Sequence, residues 1–248
     1  MAELKNIAVR TKKTMIGFRG LLESRLASMA PLLTLLVLII LFSITSQKFL
    51  TPDNLFNITG QIAILAMVAS GMTLVVLLGE IDLSVANIAT MTGIIIAMLY
   101  TSKSGVFSGH ALPSILAGIL AATFIGLVAG LCVSKLGIPS FAVTLATMQI
   151  SRGITMTVTE GEPIYTIPQS LKWLGTFRIG PVPGIALIAV GVVLIFYLVL
   201  KFTHFGRYIY AVGGNRTAAK TVGIRNGLII TLVMSIAGMM AGIGGMFT

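Results

Sequence analysis

Seven apolar segments, at approximately 28–46, 57–78, 84–100, 112–134, 139–158, 183–201 and 226–247, divide this chain of 248 residues. Each is near the roughly 20 residues that an α-helix needs to cross a bilayer. Lipid offers no partner to a backbone N–H or C=O, so a spanning segment must satisfy its own backbone, as a helix does. The pattern therefore predicts an all-α polytopic membrane protein of about seven transmembrane helices. Only 10% of the residues are charged and 56% are hydrophobic, whereas a soluble domain carries about 25% charged residues. Pro31 and Pro113 suit first helical turns, where a missing N–H costs nothing.

Charge sets the expected orientation. Lys and Arg total 17 against 7 Asp and Glu, a net charge of +10. In a soluble protein this would suggest nucleic acid. Here the cations fall mostly between apolar runs, where the positive-inside rule accounts for them. Residues 1–27 carry Lys5, Arg10, Lys12, Lys13, Arg19 and Arg25. The basic and apolar regions are both long and no A-x-A-like cleavage site follows, so an uncleaved first span is expected rather than a signal peptide. With the N-terminus in the cytoplasm, alternation places twelve cations inside and four outside, with Arg152 inside a span.

Several residues predict no chemistry. Cys132 is the single cysteine and lies in an apolar run, so it reads as an inert thiol. His110 and His204 are far apart and lack neighbouring carboxylates or thiols, which predicts no metal site. Gly126-x-x-x-Gly130 and Gly238-x-x-x-Gly242 predict close helix packing. The longest outer connection, 159–183, contains Glu160, Glu162, Tyr165 and Trp173. The two aromatics read either as interfacial anchors or as part of a docking surface for an external partner.

Three polar stretches interrupt the apolar pattern. Gly79-Glu80-Ile81-Asp82-Leu83-Ser84 sets two carboxylates between two apolar runs. It reads either as a short polar turn, with Asp82 or Ser84 capping the next helix, or as part of a substrate pathway or gate. Pro139 to Gly153 is the second. Pro139 should begin a helix, and Thr144, Thr147, Gln149 and Arg152 are polar within the span. Polar, broken spans are where transporters place their pathways, although Thr144, Thr147 and Ser151 can equally bond their own helix backbone. Arg152 must face protein, water or a headgroup, with Glu160 and Glu162 as candidate partners.

The third stretch, Thr203 to Lys220, is basic and rich in small residues. It predicts a loop at the membrane surface, on the cytoplasmic side, that docks another protein. The dipeptide Gly-Lys never occurs, so there is no Walker A sequence, and neither H-E-x-x-H nor G-x-S-x-G is present. The chain is expected to be no enzyme. If ATP drives it, a separate chain hydrolyses the ATP.

These stretches together resemble the permease subunit of ABC importers for monosaccharides, the ribose, xylose, galactose and autoinducer-2 group. Phe49-Leu50-Thr51-Pro52-Asp53-Asn54-Leu55 is similar to the family's entry sequence. Gly79 to Val85 resembles its Gly-Gly-Ile-Asp-Leu-Ser-Val signature, and Pro139 to Gly153 its Pro-x-Phe-x-x-Thr-Leu-Gly-Thr run. Thr203 to Gly223 resembles its cytoplasmic loop. The resemblance implies a permease domain over 28–248 and a monosaccharide or similar small polar solute moved into the cytoplasm. It implies as partners a cytoplasmic ABC ATPase that binds the ATP, an extracytoplasmic sugar-binding protein and a second permease subunit, in a bacterial-type inner membrane. It implies ATPase coupling through a loop at about 202–225, with Gly206, Arg207, Gly213, Gly214, Asn215, Ala218, Ala219 and Gly223, where Arg207, Arg216 and Lys220 offer charge complementarity. Glu80, Asp82, Ser84, Thr144, Thr147, Gln149 and Arg152 are the candidate pathway or gate residues.

The chain departs from the pattern in places. Glu80 stands for the usual second Gly, Ala86-Asn87 for Gly-Ser, and Ala146 for Gly. Family members continue for further spans, so the resemblance implies a C-terminally incomplete chain. The rival readings are a proton-coupled carrier using Glu80, Asp82 or Arg152, and a membrane scaffold without transport.

Overall fold

A computed structural model describes residues 29–101, 107, 109–162 and 175–247. The basic segment 1–27, Tyr165 and Trp173 lie outside the described residues. Each of the seven apolar segments coincides with a helix: α1 (Met29–Thr45), α2 (Pro52–Leu77), α3 (Val85–Thr101), α4 (Ala111–Leu136), α5 (Ser140–Thr159), α6 (Gly184–Phe202) and, after two short helices, α9 (Asn226–Gly245). The short helices are α7 (His204–Gly214) and α8 (Arg216–Thr221). Among the described residues four helices, α2, α4, α6 and α9, are long and apolar enough to cross a membrane. α1 and α3 are apolar but shorter.

The chain divides after Leu55 into two compact units. In the first, the hydroxyls of Thr34, Ser43 and Thr45 each donate to a carbonyl four residues back, at 2.6–2.9 Å, which hides polar atoms in an apolar helix. Phe42 and Phe49 pack with ring centroids 5.6 Å apart.

The second unit is built around α9. Apolar side chains gain little by leaving lipid for protein, so close backbone approach and hydrogen bonds must hold such helices together. α9 supplies both. A Cβ on Gly238 would sit 2.6 Å from the Ala122 carbonyl oxygen and 3.1 Å from the Gly126 Cα, both on α4. A Cβ on Gly126 would overlap the Met234 carbonyl in return. Gly245 closes on the Ala89 carbonyl of α3, and Gly71 of α2 meets Met240. Between α4 and α9 the Ser134 and Thr231 hydroxyls lie 2.8 Å apart, and Thr231 Oγ1 also donates to the Gly130 carbonyl at 3.3 Å. Both small-residue pairs thus lie at helix contacts. The side chains that fill the remaining space, Met67, Leu74, Val233, Met234 and Met240, are at most 2% exposed.

α5 has the opposite polarity to a helix in water. Its buried positions are Ser140, Val143, Thr144, Thr147 and Ser151, while Phe141, Leu145 and Ile150 face outward. β1 (Arg178–Ile179) pairs antiparallel with β2 (Val182–Pro183), and Arg178 donates to Asn57 Oδ1 of α2 at 2.8 Å.

A Gly238→Val variant is expected to lose about 1–3 kcal/mol of stability, since overpacking here forces two backbones apart. Gly191→Ala, with nothing within 4 Å of the added atom, is the control. Thermal unfolding in detergent checks this, and equal melting temperatures for the two variants would sink the close-packing account.

Candidate functional site

The first polar interruption, residues 78–84, is a turn between α2 and α3. α2 ends there because Gly79 takes φ 73°, a left-handed conformation that suits glycine, with open space around it. The Gly79 N–H then donates to the Val76 carbonyl at 2.9 Å and the Glu80 N–H to the Val75 carbonyl at 3.1 Å, the paired bonds of a Schellman ending. On the other side Asp82 Oδ1 accepts from the Ser84 N–H at 2.8 Å and from the Ser84 hydroxyl at 2.6 Å. Asp82 therefore orders the entry to α3, and the Ser84 carbonyl accepts the first helical bond, from Ile88 at 2.9 Å.

α5 holds this turn by its middle. Ser140 Oγ accepts from the Ile81 N–H at 3.1 Å, and the Thr144 hydroxyl donates to the Ile81 carbonyl at 3.2 Å. Both backbone polar groups of Ile81 are thereby satisfied by one helix. Further along the interface, the Asn87 amide of α3 donates to the Met148 carbonyl at 3.1 Å.

The stretch from Thr203 onward is not the loop that its composition suggests. It is two helices, because its side chains cap their own ends. Thr203 Oγ1 accepts from the Gly206 N–H at 3.2 Å to begin α7, and Asn215 Oδ1 accepts from the Ala218 N–H at 3.0 Å to begin α8. Ile209, Val212 and Ala219 are buried against the main core. Arg207, Tyr208, Tyr210 and Lys220 are exposed.

The two helices close on the turn. A Cβ on Gly213 would overlap the Leu77 carbonyl, and one on Gly206 would overlap the Leu200 carbonyl. Arg216 Nη2 donates to Glu80 Oε1 at 2.6 Å and to the Leu78 carbonyl at 3.3 Å. It is the one ion pair among the described residues, with the Glu80 side chain 7% exposed and the Arg216 side chain 48%. The Asn226 amide at the start of α9 donates to the Arg216 carbonyl at 2.7 Å and steadies α8 from behind.

The candidate pathway residues thus separate into two groups. Glu80, Asp82, Ser84 and Thr144 meet at the turn, with Thr147 one helical turn further on the same buried face, donating to the Val143 carbonyl at 2.9 Å. Gln149 and Arg152 lie on the exposed face of α5 instead. Among the described residues Arg152 makes no ion pair with Glu160 or Glu162, whose anticipated role as its partners the structure does not support. Of the candidate coupling residues, Gly206 and Gly213 are close-approach positions, Gly214 and Gly223 face open space, Asn215 is a cap, and Ala219 is buried beside the exposed Ala218. Sequence reasoning missed Ser140, Asn226 and the Glu80–Arg216 pairing. The signal available was a carboxylate between apolar runs, which needs a partner.

The family described as "branched-chain amino acid transport system / permease component" matches residues 54–248. The ribose import permease protein of Escherichia coli K12 is 36% identical over 239 residues, 95% of this chain and 73% of that protein. The ribose import permease protein of Bacillus subtilis is 33% identical over 246 residues, 98% of this chain and 73% of that protein. The L-arabinose ABC transporter permease protein of Azospirillum brasilense is 33% identical over 214 residues, 85% of this chain and 60% of that protein. No solved structure matches. A multi-pass helical membrane protein with this match across most of its length belongs to the branched-chain amino acid transport system permease family, alongside sugar-import permeases.

Proposed function

We infer that the chain is the membrane-spanning subunit of an ATP-driven importer and moves a monosaccharide or similar small polar solute into the cytoplasm. One observation carries the reading beyond family membership: α7 and α8 sit against the polar turn, with Gly213 on Leu77 and Arg216 on Glu80. A short, basic, partly exposed helix pair fastened to the spanning helices is suited to receive a force from another protein. The proton-coupled carrier and scaffold readings have no such support, and the similar proteins are import permeases.

In this reading the inner face carries α7 and α8, the turn at 78–84, and the join of α4 to α5. The seven apolar segments serve as seven crossings, and the cations, twelve inside against four outside, favour an N-terminus on the inner side. The ATP is bound and hydrolysed by a cytoplasmic ABC ATPase that docks on the exposed Arg207, Gly214, Asn215, Ala218 and Lys220. An extracytoplasmic sugar-binding protein delivers the solute, and a second permease subunit completes the pathway in a bacterial inner membrane. Gln149 and Arg152 face outward from the isolated chain. Charged and amide groups within a membrane face protein or water rather than lipid, so these two line the pathway toward the second subunit. The buried cluster of Glu80, Asp82, Ser84, Thr144 and Thr147 is the gate.

A Gly214→Trp variant adds bulk where the chain itself leaves open space. It is expected to keep its melting temperature and to weaken co-purification of the ATPase about tenfold through a steric clash at the docking surface. Unchanged ATPase capture would sink the coupling role. A Arg207→Glu, Lys220→Glu double variant is expected to slow association with the ATPase, and the defect is expected to shrink as salt rises, because exposed charges act mainly on encounter. A salt-independent defect would point to misfolding of the helix pair instead.

A further inference from the structure

We propose that the Glu80–Arg216 ion pair is a mechanical link that carries displacement of α8 through the 78–84 turn into α5. The proposal deepens the importer reading, on which it rests for the source of the displacement.

Arg216 holds the turn at two atoms, Glu80 Oε1 and the Leu78 carbonyl oxygen. Ile81, the next residue after Glu80, has its N–H on Ser140 and its carbonyl on Thr144. Adjacent residues of one short turn are therefore gripped by α8 and by α5, with no flexible spacer between the two grips. Stiffness continues beyond, because Asp82 binds Ser84 twice and fixes the start of α3.

Toward α2 the Glu80 N–H is bonded to the Val75 carbonyl at 3.1 Å and Arg216 also holds the Leu78 carbonyl, so the end of α2 moves with the turn. A pull at Arg216 is thus borne by a hydrogen-bonded turn and passes to α5 through the Ser140 and Thr144 bonds to Ile81. The displacement reaches the helix whose buried face carries Thr144 and Thr147 and whose exposed face carries Gln149 and Arg152. Ion pairs between fully exposed groups contribute little. Here one partner is buried, and removing Arg216 leaves the Glu80 carboxylate without its cation, which is the costly case. Glu80 and Arg216 are positioning residues in this scheme and touch no substrate.

Hydrogen exchange on the full chain in lipid nanodiscs tests the link without any partner protein. Arg216→Gln is expected to speed exchange roughly three- to tenfold in segments 78–84 and 140–147 as well as in α8. The charge-reversed pair, Glu80→Arg with Arg216→Glu, is expected to restore protection. In a Ser140→Ala, Thr144→Val background, Arg216→Gln is expected to add nothing further at 140–147, the non-additivity that a shared path requires. If Arg216→Gln alters exchange only within 204–225, the link does not exist. If full protection persists everywhere, the pair bears no load and the proposal is equally overturned. Failure of an ATPase to bind the wild-type chain would sink the importer reading and leave the exchange result standing.

Discussion

Close backbone contact along α9 is the constraint on which the second unit depends. Within α9, 61% of its most apolar stretch is buried, against 11% for α6. Lipid is as apolar as leucine, so burial of side chains supplies little net attraction between helices in a bilayer. What remains is dispersion between well-fitted surfaces and hydrogen bonds that have no competing water. Gly238, Gly242 and Gly245 let α4 and α3 approach at backbone distance, and Thr231 bonds across to Ser134 and Gly130. The more peripheral α6 keeps Leu187, Val190, Leu194 and Leu198 outward, as a helix does where lipid is the solvent.

One core cluster joins residues near the ends of α2, α4, α5 and α9, among them Val133, Val143 and Ile229, and Leu78 ties the polar turn to it. Glu80 and Asp82 are both 8% exposed, yet each is compensated within hydrogen-bond distance, one by Arg216 and one by Ser84. A buried carboxylate without such compensation would cost several kcal/mol, on the order of the figures for charge burial. The two acids therefore play different parts. Asp82 acts locally, on the entry to α3. Glu80 acts at a distance of 136 residues in sequence, on a helix that the same core holds in place.

How much of this was legible in the sequence follows from the range of each interaction. The helices were legible because each is written as a contiguous apolar run, and the packing glycines because small residues recur at helical spacing. The short polar turn was legible as one of two readings, and its capping by Asp82 is local chemistry. The α7–α8 stretch was legible as a connection between apolar runs but not as two helices, since it is basic and rich in small residues. The φ values of Gly213 and Gly214 stay outside the left-handed region, and the caps from Thr203 and Asn215 supply what propensity does not. The Glu80–Arg216 pairing was not legible, because a long-range partner is chosen by packing rather than by spacing. Gln149 and Arg152 were grouped with Thr144 and Thr147 by sequence proximity, and helical periodicity separates them.

The polarity of α5 sets it apart from the other helices of the unit. A membrane helix with hydroxyls inward and apolar side chains outward can shift against its neighbours at low cost, because hydroxyls exchange partners within a short reach. Thr144 already divides itself between the Ile81 carbonyl at 3.2 Å and its own helix, at the Phe141 carbonyl, at 3.3 Å. Ser151 and Thr155 carry buried hydroxyls without a hydrogen-bond partner among the described residues. Such groups are under-satisfied in this arrangement, and a displaced α5 offers them new acceptors. The glycine-packed contact of α9 with α4 has no such freedom, since any slide there brings backbone against backbone. The link proposed between α8 and α5 therefore calls for motion on the α5 side of the unit, where the turn at 78–84 is clasped, with the glycine-packed α9 and α4 as its frame.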